Sequence, residues 1–254
     1  MARLLAALVL FVCIGPAHAG TFTGWSTNGS AQLIDSDDTI SLTEPVIFEA
    51  GSAWSPGQVS LANDFSVAFS FTLYGGSNGG ADGITITFQN SAAGLTALGA
   101  GGGVIGYSDI DHSVAFVYDT FDNGLDTDRV PGPNTSVAYD GNLVNPWGGN
   151  TVGTAYALRE KVIYAWIDYS AATQAFTSYI SDTNAKPANA DMSIDSSYIG
   201  SSSVYVGFTA GTGGATDNQE ILSFSLTEVP EPGTCALLLP ALGALGCAAR
   251  RRRG

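Results

Sequence analysis

Thiols, imidazoles and cations are scarce in this 254-residue chain: 3 cysteines, 2 histidines and 9 lysines and arginines stand against 23 acidic side chains. All three cysteines (Cys13, Cys235 and Cys247) lie in apolar stretches near the two ends, and His18 is near the start. The body of the chain thus has no cysteine and one histidine, His112. That excludes disulfides, thiol nucleophiles and Cys/His zinc sites there, and any Ser-His-Asp triad would have to use His112. Cations are equally segregated, with Arg3 and Arg250 to Arg253 supplying five of the nine. The formal charge is −14, which repels phosphate backbones and excludes nucleic acid as a natural partner. The body also lacks any convincing 3.6-residue hydrophobic period, so helices are not expected in it.

The two ends read as addresses. Arg3, the apolar run Leu4 to Ile14 and the small-x-small sequence Ala17-His18-Ala19 form a secretory signal peptide, residues 1–19, with the mature chain starting near Gly20. Residues 229–254 have three parts: Val229-Pro230-Glu231-Pro232, an apolar run from Cys235 to Ala249, and four arginines before Gly254. The run is at the short limit for a transmembrane helix, Pro240 would kink it, and the arginines would stay on the cytoplasmic side. This tail resembles the PEP-CTERM sorting signal of Gram-negative bacteria. The resemblance implies transient inner-membrane contact through the hydrophobic helix and processing by an exosortase-type enzyme. It also implies a membrane-tethered precursor, then export to the cell surface or an exopolysaccharide matrix.

Residues 20–228 read as one domain of short strands. Phe65, Val67, Phe69, Phe71 and Leu73 alternate with Ser66, Ala68, Ser70 and Thr72, the period of two expected of a half-buried strand. Ile84 to Phe88, Val114 to Tyr118, Val162 to Tyr169, Phe176 to Ile180, Val204 to Phe208 and Ile221 to Leu226 are further candidates, separated by Gly, Asn, Asp and Ser clusters. Many short antiparallel strands without helices predict an all-β sandwich of jelly-roll type. Long glycine-rich connections such as Gly99 to Gly106 are candidate functional loops.

Glycan hydrolysis on a sandwich needs two suitably spaced carboxylates. Glu44, Glu49, Glu160, Glu220 and Glu228 are the body's glutamates, and none sits in a one-strand Glu-x-Asp-x-Glu pattern. His112, among Asp109, Asp111 and Ser113, reads as a solvated loop residue, so the chain is expected not to be an enzyme. Oxygen donors are instead dense in Asp119-Thr120-Phe121-Asp122-Asn123-Gly124-Leu125-Asp126-Thr127-Asp128, directly after a buried strand. Calcium takes such carboxylate, amide and carbonyl oxygens, although the terminal glutamate of an EF-hand is missing. An acidic solvated loop fits the composition equally well.

Val117-Tyr118-Asp119-Thr120-Phe121-Asp122-Asn123 followed by Asp128 resembles the metal loop of the legume-type (L-type) lectins. Three further blocks follow the family's order: Ala81-Asp82-Gly83, Gly102-Gly103-Val104-Ile105-Gly106 and Val206-Gly207-Phe208-Thr209-Ala210. Gly51-Ser52-Ala53-Trp54 and Phe65 to Leu73 are similar to the early strands of bacterial members. The resemblance implies a concanavalin A-like sandwich that binds Ca2+ through Asp119, Asn123, Asp128 and the Phe121 carbonyl, with Asp126 as the alternative to Asp128. It implies carbohydrate binding by Asp82 across a cis peptide, the Gly103 N–H, Asn123, the Phe121 ring and the specificity loop around Gly213 and Gly214. That loop is read as Gly211 to Gln219, including Thr216 and Asp217. The family's transition-metal site has Glu where this chain has Val117, and His where it has Pro133 and Asn134, so that second site is expected to be lost. The implied function is an exported, calcium-dependent carbohydrate-binding protein with a glycan or exopolysaccharide ligand. A structural matrix protein that keeps the fold but not the sugar is the main alternative, and a glycosidase the lesser one.

Removing both ends takes away five basic residues and Glu231, leaving 4 basic and 22 acidic residues. The domain itself therefore carries −18.

Overall fold

A computed structural model of the chain describes residues 18–19, 22–122, 134–143 and 152–228. The sorting tail, the leader before His18, and Asn123, Asp126 and Asp128 lie outside the described residues. Among the described residues no helix is long and apolar enough to cross a membrane, and the helical turns are all short 3-10 segments.

Two antiparallel sheets form the domain. The first runs in the order β13 (Met192–Asp195), β12 (Ala175–Ser181), β11 (Val162–Ser170), β6 (Phe65–Ser77), β15 (Thr216–Glu228), β4 (Thr39–Thr43), β3 (Gln32–Ile34), with β1 (His18–Ala19) also on β15. The second runs β10 (Val152–Gly153), β9 (Asn134–Tyr139), β8 (Ser113–Asp119), β7 (Gly83–Gln89), β14 (Ser203–Gly211), β5 (Ala50–Ser60), β2 (Ser26–Gly29). All seven strands expected from the sequence are present, within β6, β7, β8, β11, β12, β14 and β15. The strands not read as such from hydrophobic patterning are mostly short, and they include every sheet edge.

The alternating patterns decide which face of each strand meets the other sheet. Phe65, Val67, Phe69, Phe71 and Leu73 of β6 and Ile163, Ala165, Ile167 and Tyr169 of β11 point between the sheets. They meet Ile84, Ile86 and Phe88 of β7, Val114, Phe116 and Tyr118 of β8, and Val204, Val206 and Phe208 of β14. Aromatic rings interlock there: Phe88 lies 4.5 Å from Phe176, and Phe69 lies 5.1 Å from Phe208, centroid to centroid. Such pairs add about 0.5–1.5 kcal/mol each beyond the area they bury.

The second sheet is covered on its other face too. Trp54, Ala115 and Val117 of that sheet pack with Ala97, Ile105, Tyr107 and Ile110 of the long β7–β8 connection in a second apolar cluster. The polar positions of β7 therefore face protein rather than water. Thr85 Oγ1 lies 2.7 Å from Thr87 Oγ1 and 2.8 Å from Thr209 Oγ1, and Thr209 donates to the Ile105 carbonyl at 2.7 Å. Buried hydroxyls linked in this way avoid the desolvation cost of unpaired polar groups. Glycine permits the close approach of the covering loop. At Gly106, with φ +68°, a Cβ would fall 2.5 Å from the Ala210 carbonyl oxygen.

Trp54 anchors this second layer. It is fully buried, and its indole N–H donates to the Ala97 carbonyl at 2.8 Å. Trp54→Ala should destabilise the domain by about 3–5 kcal/mol, as large cavities in cores do. Urea unfolding checks this; a loss below about 1 kcal/mol would show that the loop layer is not part of the cooperative core.

Candidate functional site

The neighbouring ends of β8, β7 and β14 bring the candidate residues together. Gly83 pairs with Asp119 on one side and with Gly211 on the other. Just before β7, the Ala81–Asp82 peptide bond is cis. The Asp82 main chain is bonded to both neighbours: its N–H donates to the Gly211 carbonyl at 2.9 Å, and its carbonyl accepts from Thr120 N–H at 3.0 Å. Asp82 is 2% exposed and Asp119 6% exposed. Burying a carboxylate is costly unless hydrogen bonds or a cation compensate its charge.

Asp119 turns the chain out of β8. Its Oδ1 accepts from the Phe121 N–H at 3.0 Å, an Asx turn that starts the acidic loop. Phe121 is half-buried and Asp122 exposed. Val117, two residues before Asp119, is buried within the second apolar cluster, and Asn134 pairs in register with Asp119.

Two glycine segments close over Asp82. Gly102–Val104 forms a 3-10 turn, and the Gly102 N–H donates to the Thr212 carbonyl at 2.9 Å. At Gly213 a Cβ would lie 3.3 Å from Asp82 Oδ2 and 3.5 Å from Gly102 Cα, so the absence of a side chain leaves the carboxylate room. A Cβ at Gly214 would meet nothing within 4 Å. The structure thus places Asp82, Asp119, Phe121, Gly102–Gly103 and Gly213 around one rim. A surface cleft lined by Leu61, Tyr169, Gln174 and Ser196 contains none of them. His112 is exposed, 3.2 Å from Asp111, where the β7–β8 connection enters β8, at the opposite end of that strand from Asp119.

The segment that the resemblance marks as a specificity loop, Gly211 to Gln219, is partly strand. β14 ends at Gly211 and β15 begins at Thr216, so only residues 212–215 are loop. Asp217 is fully buried and engaged by Arg159, with Nε to Oδ2 at 2.5 Å and the second guanidinium nitrogen to Oδ1 at 2.6 Å. Hydrogen bonding to Asp217 raises the Arg159 pKa above its usual value. Gly80 packs against this pair: a Cβ there would lie 2.0 Å from Arg159 Nε. Gln219 is also buried, and its Nε2 donates to the Ala81 carbonyl at 2.8 Å and the Gly211 carbonyl at 3.0 Å. Sequence reasoning missed Arg159 and Gln219 as supports of the Asp82 segment. Arg159 left one signal, as one of four cations in a strongly acidic body.

The architecture is a two-sheet antiparallel sandwich with a carboxylate-bearing rim where the ends of β7, β8 and β14 meet. The chain belongs to the legume lectin domain family, whose model matches residues 21–235. A PEP-CTERM protein-sorting motif matches residues 228–253. Protein ERGIC-53 of Chlorocebus aethiops is 25% identical over 226 residues, which is 84% of this chain and 41% of that protein. The human ERGIC-53 protein matches at the same identity and coverage. The chain thus spans less than half the length of these curated relatives. Among solved structures, peanut lectin with a 9mer peptide superposes with TM-score 0.68 at 18% identity, covering 84% of this chain and 97% of the lectin. The VIP36 exoplasmic/lumenal domain in its Ca2+/Man3GlcNAc-bound form gives TM-score 0.63 at 21% identity, covering 83% and 86%. The sandwich and the jelly-roll class expected from the sequence are those of this family.

Because Asp217 is fully buried, Arg159→Ala strands a carboxylate without its cation and should cost about 3–5 kcal/mol. The double variant Arg159→Met with Asp217→Leu should recover much of that loss. Chemical denaturation of both variants decides the matter: equal destabilisation would mean that the pair contributes through packing rather than charge.

Proposed function

We propose that the protein is an exported, calcium-dependent carbohydrate-binding protein that works at the cell surface or in an exopolysaccharide matrix. The observation carrying this reading is the convergence of Asp82, Asp119 and the glycines at 102 and 213 at one end of β7, β8 and β14 in a lectin-family sandwich. The donor set is one of hard oxygens, which suits calcium. Asp119, the Phe121 carbonyl, Asn123 and Asp128 would hold the ion, with Asp126 as the alternative to Asp128. When bound, calcium would neutralise the carboxylates and fix the loop after β8. A transition-metal site is not part of the proposal, because Val117 offers no donor and is packed among apolar side chains.

Asp82 would accept hydrogen bonds from vicinal sugar hydroxyls, joined by Asn123 and by the Gly103 N–H as a donor. The half-buried Phe121 ring would take the apolar C–H face of the sugar, and the Gly213–Gly214 turn would border it. Binding is reversible recognition without bond breaking. A single shallow site binds weakly, so several copies on a surface would supply avidity. Residues 1–19 would be removed on export, taking β1 with them. The tail from Val229 would be trimmed by an exosortase-type enzyme after transient inner-membrane contact.

Calcium at 100 times its Kd should add about 2.7 kcal/mol of stability, visible as a rise in Tm that EDTA reverses. Asp119→Asn should remove most of that rise. On a glycan array bearing mannose, galactose and N-acetylgalactosamine, signal should depend on calcium, and Asp82→Ala should lower it by about 10- to 100-fold. Signal that survives both EDTA and Asp82→Ala would overturn the assignment. Calcium stabilisation without any glycan bound would favour a structural matrix role. Mass spectrometry of the exported protein should find an N-terminus at Gly20; retention of His18 and Ala19 would refute that cleavage point.

A further inference from the structure

The connection between β4 and β5 carries three consecutive exposed apolar side chains: Val46 at 48%, Ile47 at 55% and Phe48 at 75% exposure. Scattered exposed apolar residues are ordinary, but a contiguous run marks a contact surface. This loop is nonetheless held firmly. The Glu44 N–H donates to the Glu49 carboxylate at 2.8 Å, closing the loop at its base. Thr212 grips its middle. The Thr212 hydroxyl donates to the Val46 carbonyl at 2.6 Å and accepts from the Glu49 N–H at 2.9 Å, and the Thr212 N–H donates to the Glu49 carbonyl at 3.0 Å. The Phe48 N–H donates to the Gly213 carbonyl at 3.2 Å. Gly213 is the residue that lies against Asp82 Oδ2. One hydrogen bond and one residue therefore separate Phe48 from the candidate sugar-binding carboxylate.

Phe48 also has φ +62°, in the left-handed region that favours glycine or asparagine. A bulky aromatic residue kept there, turned into solvent and contributing little to the core, fits the pattern of backbone strain retained at functional sites. Its ring is rigid and presents an apolar face beside a polar rim, the combination that packs on the C–H face of a pyranose.

We propose that Phe48, with Ile47 and Val46, forms an outer subsite for the second sugar unit of an oligosaccharide whose first unit is held at Asp82. This rests on the carbohydrate-binding reading above and adds chain-length selectivity to it. The continuity of the loop with Gly213 points to the same ligand rather than to a separate one. The domain's charge of −18 disfavours an anionic lipid surface as the occupant.

The test uses the full exported chain with calcium. Mannose, galactose and N-acetylgalactosamine are each measured alone and at the non-reducing end of di- and trisaccharides. The wild type should prefer the longer glycan of its sugar over the monosaccharide. Phe48→Ala should cut that preference about tenfold, and Phe48→Trp should keep it. Phe48→Asn should relax the backbone, and so fold at least as well as the wild type, yet lose the preference as alanine does. A preference unchanged in Phe48→Ala overturns the proposal. Equal losses for monosaccharide and oligosaccharide overturn it as well, because the loop would then only brace the Asp82 site. So does binding to phosphatidylglycerol vesicles that disappears in Phe48→Ala while the sugar preference stays. A wild type that binds none of these sugars refutes the carbohydrate reading itself, and the subsite with it.

Discussion

The main chain of Asp82 is bonded on both sides at once, to Gly211 of β14 and to Thr120 just beyond β8. The carboxylate is therefore positioned by the ladder of the second sheet. Asp119 is fixed by the same ladder, since it stands opposite Gly83 in the β7–β8 register. Sites carried on regular strands hold their geometry more tightly than sites carried on loops alone. Here the chemically common element, the pair of carboxylates, sits at strand ends. The elements that would choose among sugars, residues 212–215 and the loop bearing Phe48, are attached around it.

The same sheet explains why the glycine-rich connection belongs to the fold as much as to the site. The outward face of β7 and β8 is covered by Ala97, Ile105, Tyr107 and Ile110, and Thr209 bonds the Ile105 carbonyl. Burial raises the Tyr107 phenol well above its ordinary pKa, with Ser113 as its 2.6 Å partner. A loop that closes a buried layer cannot open freely, so the Gly102–Gly103 segment is preorganised over Asp82. Preorganisation of this kind lowers the ordering cost that weak ligands must otherwise meet.

The long strands were legible because Phe65 to Leu73 and Ile84 to Phe88 alternate, and alternation is the direct imprint of a pleated strand. β13 has only four residues, β9 opens on the polar run Asn134-Thr135-Ser136, and β4 is buried at all five positions, so none of them shows an apolar period of two. Thr85 and Thr87 look solvent-facing in the sequence, but the connection that follows β7 folds back over them, and its glycine-rich sequence has no hydrophobic period to announce that. The resemblance carried the reading of Asp82 and Asp119, which composition alone leaves as acidic loop residues. It also stretched the specificity loop to Gln219, because nothing local reveals that Asp217 turns inward to Arg159 or that Gln219 reaches back to Ala81. Those are contacts between distant segments, written in three dimensions only.

Among the described residues, both sheets end in short strands: β13 has four residues and β3 three on one, β10 two and β2 four on the other. A sheet edge of that length offers few free N–H and C=O groups to a neighbour. Copies crowded side by side would thus have little template for joining their sheets into a continuous fibre. Local density could rise while each domain stayed a separate folded unit.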